Sequence, residues 1–337
     1  MSTGAKESRR GRFPALPPAF ESYAEESLEQ APAGGPGKNG LLEATLARAG
    51  TNNQTRLVRD HVIVPYHLTG TLETDPVPGL TTLIAQEPTG GVAQGDRHRM
   101  EIDARSGARA NVTTQSATKV HSMRANYAHL DATLEAKSGS YLEYVPGPTI
   151  VNEDARCLQT VRVDLEDDAI VLVGDVLVPD GLSEHESFDF DHYHARVEAE
   201  HDGKLVCADT VDIRPDERDP RDSTSVGEYD VIGSLYVFAP DRDSEALTDR
   251  IHDRLEETPR GEAQPRREKS MRADETEGRG DALDSTLVGV STLPHEVGVV
   301  VRVLGYRQLD VTNAIRDAWD ETRLAFFEVG IPADRRY

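Results

Sequence analysis

The sequence predicts a predominantly β protein interrupted by two helices. Two observations carry that reading. From Leu41 onward the chain is a succession of short apolar stretches broken by turns, many alternating with the period of two expected of half-buried strands. Two later segments instead space their apolar residues at the helical interval.

Residues 1–40 are rich in Pro, Gly, Ser and charge, as in PALPP and APAGGPGKNG, and have no sustained periodicity, so they read as a mobile tail. Strands are expected within 42–47, 55–68, 79–86, 98–104, 108–115, 128–136 and 140–146. More follow within 157–165, 169–178, 188–200, 204–213, 229–240, 285–292 and 296–306. The first helix falls in 241–257, where Leu247, Ile251 and Leu255 share a face and Asp243 or Ser244 suits the N-cap. The second falls in 309–329, with a stripe of Val311, Ile315, Ala318, Trp319 and Phe326, and Asp310 or Thr312 as the expected cap. Residues 258–284 have almost no apolar content and read as a disordered surface insertion. The remainder, 41–337, reads as a single domain, since 337 residues can bury one sizeable core.

Charge excludes some functions. Basic residues number 37 and acidic ones 60, a net charge of −23, and lysine is scarce. Strong salt screens the self-repulsion of such a surface, so the acidity reads as adaptation to a halophilic cytoplasm. Nucleic-acid binding needs a basic footprint and is not expected. No apolar run is long enough for a membrane helix, and the N-terminus lacks the apolar core of a secretory signal, so a cytoplasmic protein is expected. Cys157 and Cys207 are too few for a disulfide framework and read as buried structural thiols.

Short motifs give little chemistry. GGVAQGD (90–96) suggests a phosphate loop, but Asp96 and Arg97 stand where that loop needs Lys and Ser or Thr. The glycines read instead as a turn between strands. His185, His192, His194 and His201 lie among carboxylates, and His192 and His194 would share one strand face. Such ligands suit nickel or zinc, although a solvated strand face accounts for them as well. No GxSxG elbow is present.

The central block is more informative. Gly90-Gly91-Val92-Ala93-Gln94-Gly95-Asp96-Arg97 resembles the GGxxxGDR signature of the UreD (UreH) family of urease accessory proteins, and Thr113-Thr114-Gln115-Ser116-Ala117-Thr118-Lys119 resembles its TTQ-x-A-[ST]-K run. Leu142-Glu143-Tyr144-Val145-Pro146-Gly147-Pro148-Thr149-Ile150 is similar to its LE[WY]-x-P-x-PTI segment, and Ala155-Arg156 and Gln159 continue the pattern. Arg302-Val303-Leu304-Gly305 then leads into a helix bearing Trp319 and Arg323. Asp175 is retained, and Glu186 aligns with a family glutamate whose accompanying Gly-Arg pair is missing here.

The resemblance implies a β-strand superhelix with few helices. It also implies a non-enzymatic scaffold acting with UreF, the GTPase UreG and apo-urease, with nickel conducted in transit through an internal tunnel and no tightly bound cofactor. Asp96, Thr118 and Asp175 align with tunnel-lining positions, with Glu143 and Glu186 as weaker candidates. Trp319, Phe326 and Phe327 are expected to pack the core near the UreF contact. A rival reading is a metal-dependent hydrolase using His192 and His194; another is a passive β-solenoid interaction module.

Overall fold

The computed structural model describes residues 15–26, 37–50, 53–179, 186–257 and 285–332. The expected insertion at 258–284 lies outside them, as does His185. Among the described residues the first strands are β1 (Asn39–Ala49), β2 (Gln54–Ile63), β3 (Thr71–Leu72), β4 (Leu80–Ala85), β5 (Arg97–Ala104) and β6 (Arg109–Thr114). Next come β7 (Thr118–Val120), β8 (Ala128–Ala136), β9 (Tyr141–Tyr144), β10 (Thr149–Val151), β11 (Arg156–Leu165) and β12 (Ile170–Pro179). The last are β13 (His192–His201), β14 (Lys204–Ile213), β15 (Val231–Phe238), β16 (Thr286–Thr292) and β17 (Gly298–Gly305). The α-helices are α1 (Pro18–Ala24), α2 (Ser244–Glu257) and α3 (Gln308–Phe327).

The strands coil into a β-solenoid of about four turns. Successive strands alternate between two sheets, so β5, β8, β11 and β13 stack in parallel in one, while β4, β6, β9 and β12 stack in parallel in the other. The first sheet has seven strands in the order β14-β13-β11-β8-β5-β1-β2. The second has ten and is extended by antiparallel β15, β17 and β16. Short β7 and β10 pair with each other and make the corner between sheets.

Strand alternation places the core. Ile102, Ala132, Leu134, Val161 and Val163 of the seven-stranded sheet pack against Val112, Leu142, Val171 and Val173 of the other. The opposite face of the ten-stranded sheet, with Leu172, Leu235, Val301 and Val303, is covered by Leu247, Ile251, Val311 and Ile315 of the two long helices. Asp243 caps α2, accepting from the Ala246 N–H at 3.0 Å. At α3 the N-cap position is Arg307, without a side-chain cap; Asp310 instead pairs with Arg307 at 2.7 Å, and Thr312 Oγ1 has no partner.

Part of the expected tail is folded. Pro18–Ala24 is helical, with Phe20 fully buried against Tyr127 and Leu158, and β1 already begins at Asn39. The segment is too short and proline-rich to show periodicity, so its one anchoring aromatic is the only cue. The expected strand at 188–200 starts late, at His192, because Phe188 and Phe190 turn inward to close one end of the solenoid. Both cysteines are free and buried.

Candidate functional site

A cavity of about 360 Å³ lies inside the solenoid, between the two sheets and the loops that join them. Its walls include His98 of β5, Thr118 of β7, Tyr144 of β9, Thr149 of β10 and Gln159 of β11. The corner pairing sets Thr118 beside Thr149. Thr149 Oγ1 donates to Gln159 Oε1 at 3.3 Å, and Gln159 Nε2 donates to Asp175 Oδ1 at 2.9 Å. Tyr193 donates from its hydroxyl to Asp175 Oδ2 at 3.3 Å. The result is a file of oxygen-bearing side chains from Thr118 to Asp175. Hydroxyl, amide and carboxylate oxygens in sequence can hold a divalent ion loosely at each step.

Burial raises the Asp175 carboxyl pKa, while the hydrogen bonds from Gln159 and Tyr193 and the Arg302 charge act the other way. His98 is 2% exposed, and burial lowers its pKa to about 4, so the imidazole is neutral at pH 7. Its Nε2 has no hydrogen-bond partner.

The other expected residues stand apart from this file. Asp96 is buried in the loop entering β5, and its carboxylate is already occupied. Oδ1 accepts from the Lys38 N–H at 2.6 Å, Oδ2 accepts from the Ala93 N–H at 2.8 Å, and Lys38 Nζ lies 3.2 Å away. Asp96 therefore holds the glycine loop, whose Gly90 and Gly91 form part of the cavity wall. Positive φ at Gly90, Gly91 and Gly95 shows that this loop is the turn between β4 and β5.

Glu143 faces away from the cavity, because β9 turns Leu142 and Tyr144 inward and Glu143 towards α3. There its Oε1 accepts from Arg323 Nε at 2.7 Å, Trp319 Nε1 at 2.6 Å and Tyr141 OH at 2.6 Å. Its Oε2 accepts from Arg323 Nη2 at 2.6 Å. Trp319 thus packs the core, and Phe327 meets Tyr141 edge-on at 4.7 Å. Glu186 is exposed on the surface.

Gln159, Thr149 and His98 were missed as site residues. Gln159 carried a legible signal: it is the polar member of an inward set otherwise made of Cys157, Val161, Val163 and Leu165. His98 likewise shares its inward face with Met100, Ile102 and Ala104. His192 and His194 do lie together, on the outer face, but His192 is fully buried beneath α1, with the Phe20 ring 4.5 Å away. That roof covers the His192 ring, while Asp212 beside it keeps 37% exposure. No described helix is long and apolar enough to cross a membrane.

A family model described as UreD urease accessory protein matches residues 38–336. The chain is 62% identical over 323 residues to the urease accessory protein UreD of Natronomonas pharaonis, covering 96% of this chain and 99% of that one. It is 40% identical to the protein of that name from Haloarcula marismortui, covering 95% and 98% respectively. It is 28% identical to urease accessory protein UreD 2 of Brucella canis, covering 92% and 95%.

Proposed function

The chain belongs to the UreD family of urease accessory proteins and serves urease maturation, and from that premise we propose that it is a non-enzymatic scaffold conducting nickel through its interior to apo-urease. The observation that carries this reading is the file of oxygens from Thr118 through Thr149 and Gln159, which line the cavity, to Asp175 behind Gln159. Nickel is cargo here. A path must bind it weakly at each step, since a complete cage of strong ligands would trap an ion that stands high in the affinity order. Asp175 is the one carboxylate of that file, and the Arg302 charge near it further shortens the ion's stay. Of the carboxylates that line the cavity itself, Asp131 is held by Thr160 at 2.6 Å and Arg162 at 2.9 Å, and Glu87 stands with it in the wall.

Asp96 enters the proposal as a positioning residue: it fastens the loop that walls the cavity. His98, neutral and with a free Nε2, adds one nitrogen ligand at the side of the file. The partners in this reading are UreF and UreG, with UreG releasing the ion, and the setting is a salt-rich cytoplasm.

The test uses a urease operon expressed with Asp175→Asn, Thr118→Val or both. We expect nickel per purified urease to fall at least tenfold in the double variant, with circular dichroism and co-purification with UreF and UreG unchanged. Full nickel content in that variant rejects the path. Full content after deletion of the whole gene would reject the role in metal delivery altogether.

A further inference from the structure

The seven-stranded sheet also presents an ordered cluster on its outer face, separated by the thickness of the sheet from the cavity. His192 and His194 point the same way from β13, and β14 runs antiparallel beside it with Asp212 opposite His194. One ligand atom from each of the three residues lies within 4.8 Å of the others. His192 Nε2 is 2.6 Å and His194 Nδ1 3.2 Å from Asp212 Oδ1. Ligands bound at about 2.0–2.2 Å around one ion stand a little over 3 Å apart, so only small rotations are required.

We propose that His192, His194 and Asp212 form a resident site for a borderline divalent cation of the zinc and nickel class, distinct from the transit path. Two imidazoles and one carboxylate select such ions over calcium or magnesium, which prefer all-oxygen shells. The remaining positions fall to water on the Asp212 side, where that side chain keeps 37% exposure.

The apolar surroundings agree. Helix α1 roofs the cluster with Phe20, 4.5 Å from His192 and 5.9 Å from His194, and with Tyr23, 5.8 Å from His192. An apolar shell of this kind strengthens coordination by excluding water.

Arg214 opposes the ion. Its Nη2 lies 3.0 Å from Asp212 Oδ2 and its Nε 3.2 Å from His192 Nε2, while Nη1 reaches Glu217 at 3.2 Å. Entry of a cation requires the guanidinium to swing wholly to Glu217, so Arg214 sets the affinity. Loaded, the site fastens the β13–β14 hairpin beneath α1.

The test titrates the purified full chain in molar KCl with zinc alone and with nickel alone, by calorimetry and native mass spectrometry. One ion per chain is expected, lost in the His192→Ala/His194→Ala variant and in Asp212→Asn, with circular dichroism confirming the fold of each. Arg214→Ala should tighten binding about fivefold by removing a partly exposed competing charge. Cobalt substitution should give the visible spectrum of mixed nitrogen and oxygen ligation. Asp175→Asn should leave this stoichiometry unchanged, which separates the site from the transit path. Absence of ion from the folded wild type, retention in the double histidine variant, or weaker binding in Arg214→Ala overturns the proposal.

Discussion

Arg323 is the clearest case of one residue holding two distant parts together. It is fully buried, reaches from α3 to Glu143 on β9 at 2.6 Å, and contacts Asp75 at 3.0 Å. Glu143 and Asp75 are themselves 0% and 1% exposed at the side chain, so two carboxylates depend on one guanidinium. Removing it leaves them buried and unpaired, which typically destabilises by about 3–5 kcal/mol. Arg323→Leu should lower the unfolding free energy obtained from urea titration by that amount, and Arg323→Leu/Glu143→Leu should recover part of the loss. If the single variant matches wild type, the ion pair is not a stabilising contact. Glu143 and Arg323 both lie in segments that resemble the family, but nothing in the sequence pairs them across 180 positions. Alternation alone would have turned Glu143 away from Leu142 and Tyr144, and hence away from any interior path.

At the scale of elements, the long strands were legible because each carries enough residues for its period of two to show, as in β5, β8 and β11. The corner strands β7 and β10 have three residues each and show no period, yet they bring Thr118 beside Thr149. The helical turn α1 was hidden for the same reason. The GGVAQGD loop is the turn its glycines predict, and those glycines have unequal duties. At Gly91, φ is +127° and an added Cβ would stand 2.3 Å from the Lys119 carbonyl oxygen, whereas at Gly90, φ is +84° and nothing lies within 4 Å. Gly91→Ala should therefore destabilise by about 2–3 kcal/mol, since strain and collision combine, and Gly90→Ala by only about 1 kcal/mol. Thermal unfolding of the two variants checks the order; equal losses would mean that the wall around Lys119 yields freely. Only the Gly91 variant should also depress urease activation.

For the whole molecule, charge dominates. A net charge of −23 on 337 residues repels itself at low ionic strength. The Debye length shortens from about 10 Å at 0.1 M salt to about 3 Å at 1 M, so salt screens that repulsion. Thermal stability should therefore climb by several degrees between 0.2 and 2 M KCl and continue upward in sulfate. A flat or falling midpoint would remove salt adaptation as the reason for the acidity. Charge and lysine scarcity were readable directly from composition, but the coiling of the strands was not. Periodicity identifies strands without saying which sheet each joins, and the superhelix followed only from likeness to a family.

The hairpins at the two margins of the seven-stranded sheet have a consequence for behaviour in concentrated solution. Stacked parallel coils are in principle templates onto which another molecule's coil could add, lengthening without limit. Here β2 and β14 fold back antiparallel on β1 and β13 and end the parallel ladder at both margins. Their outer residues include Arg56, Arg59 and Asp60 on one side and Lys204 and Asp212 on the other. A second copy arriving edge-on meets reversed strand polarity and fixed charge, so the repeat terminates within a single molecule and fibre growth has no starting point.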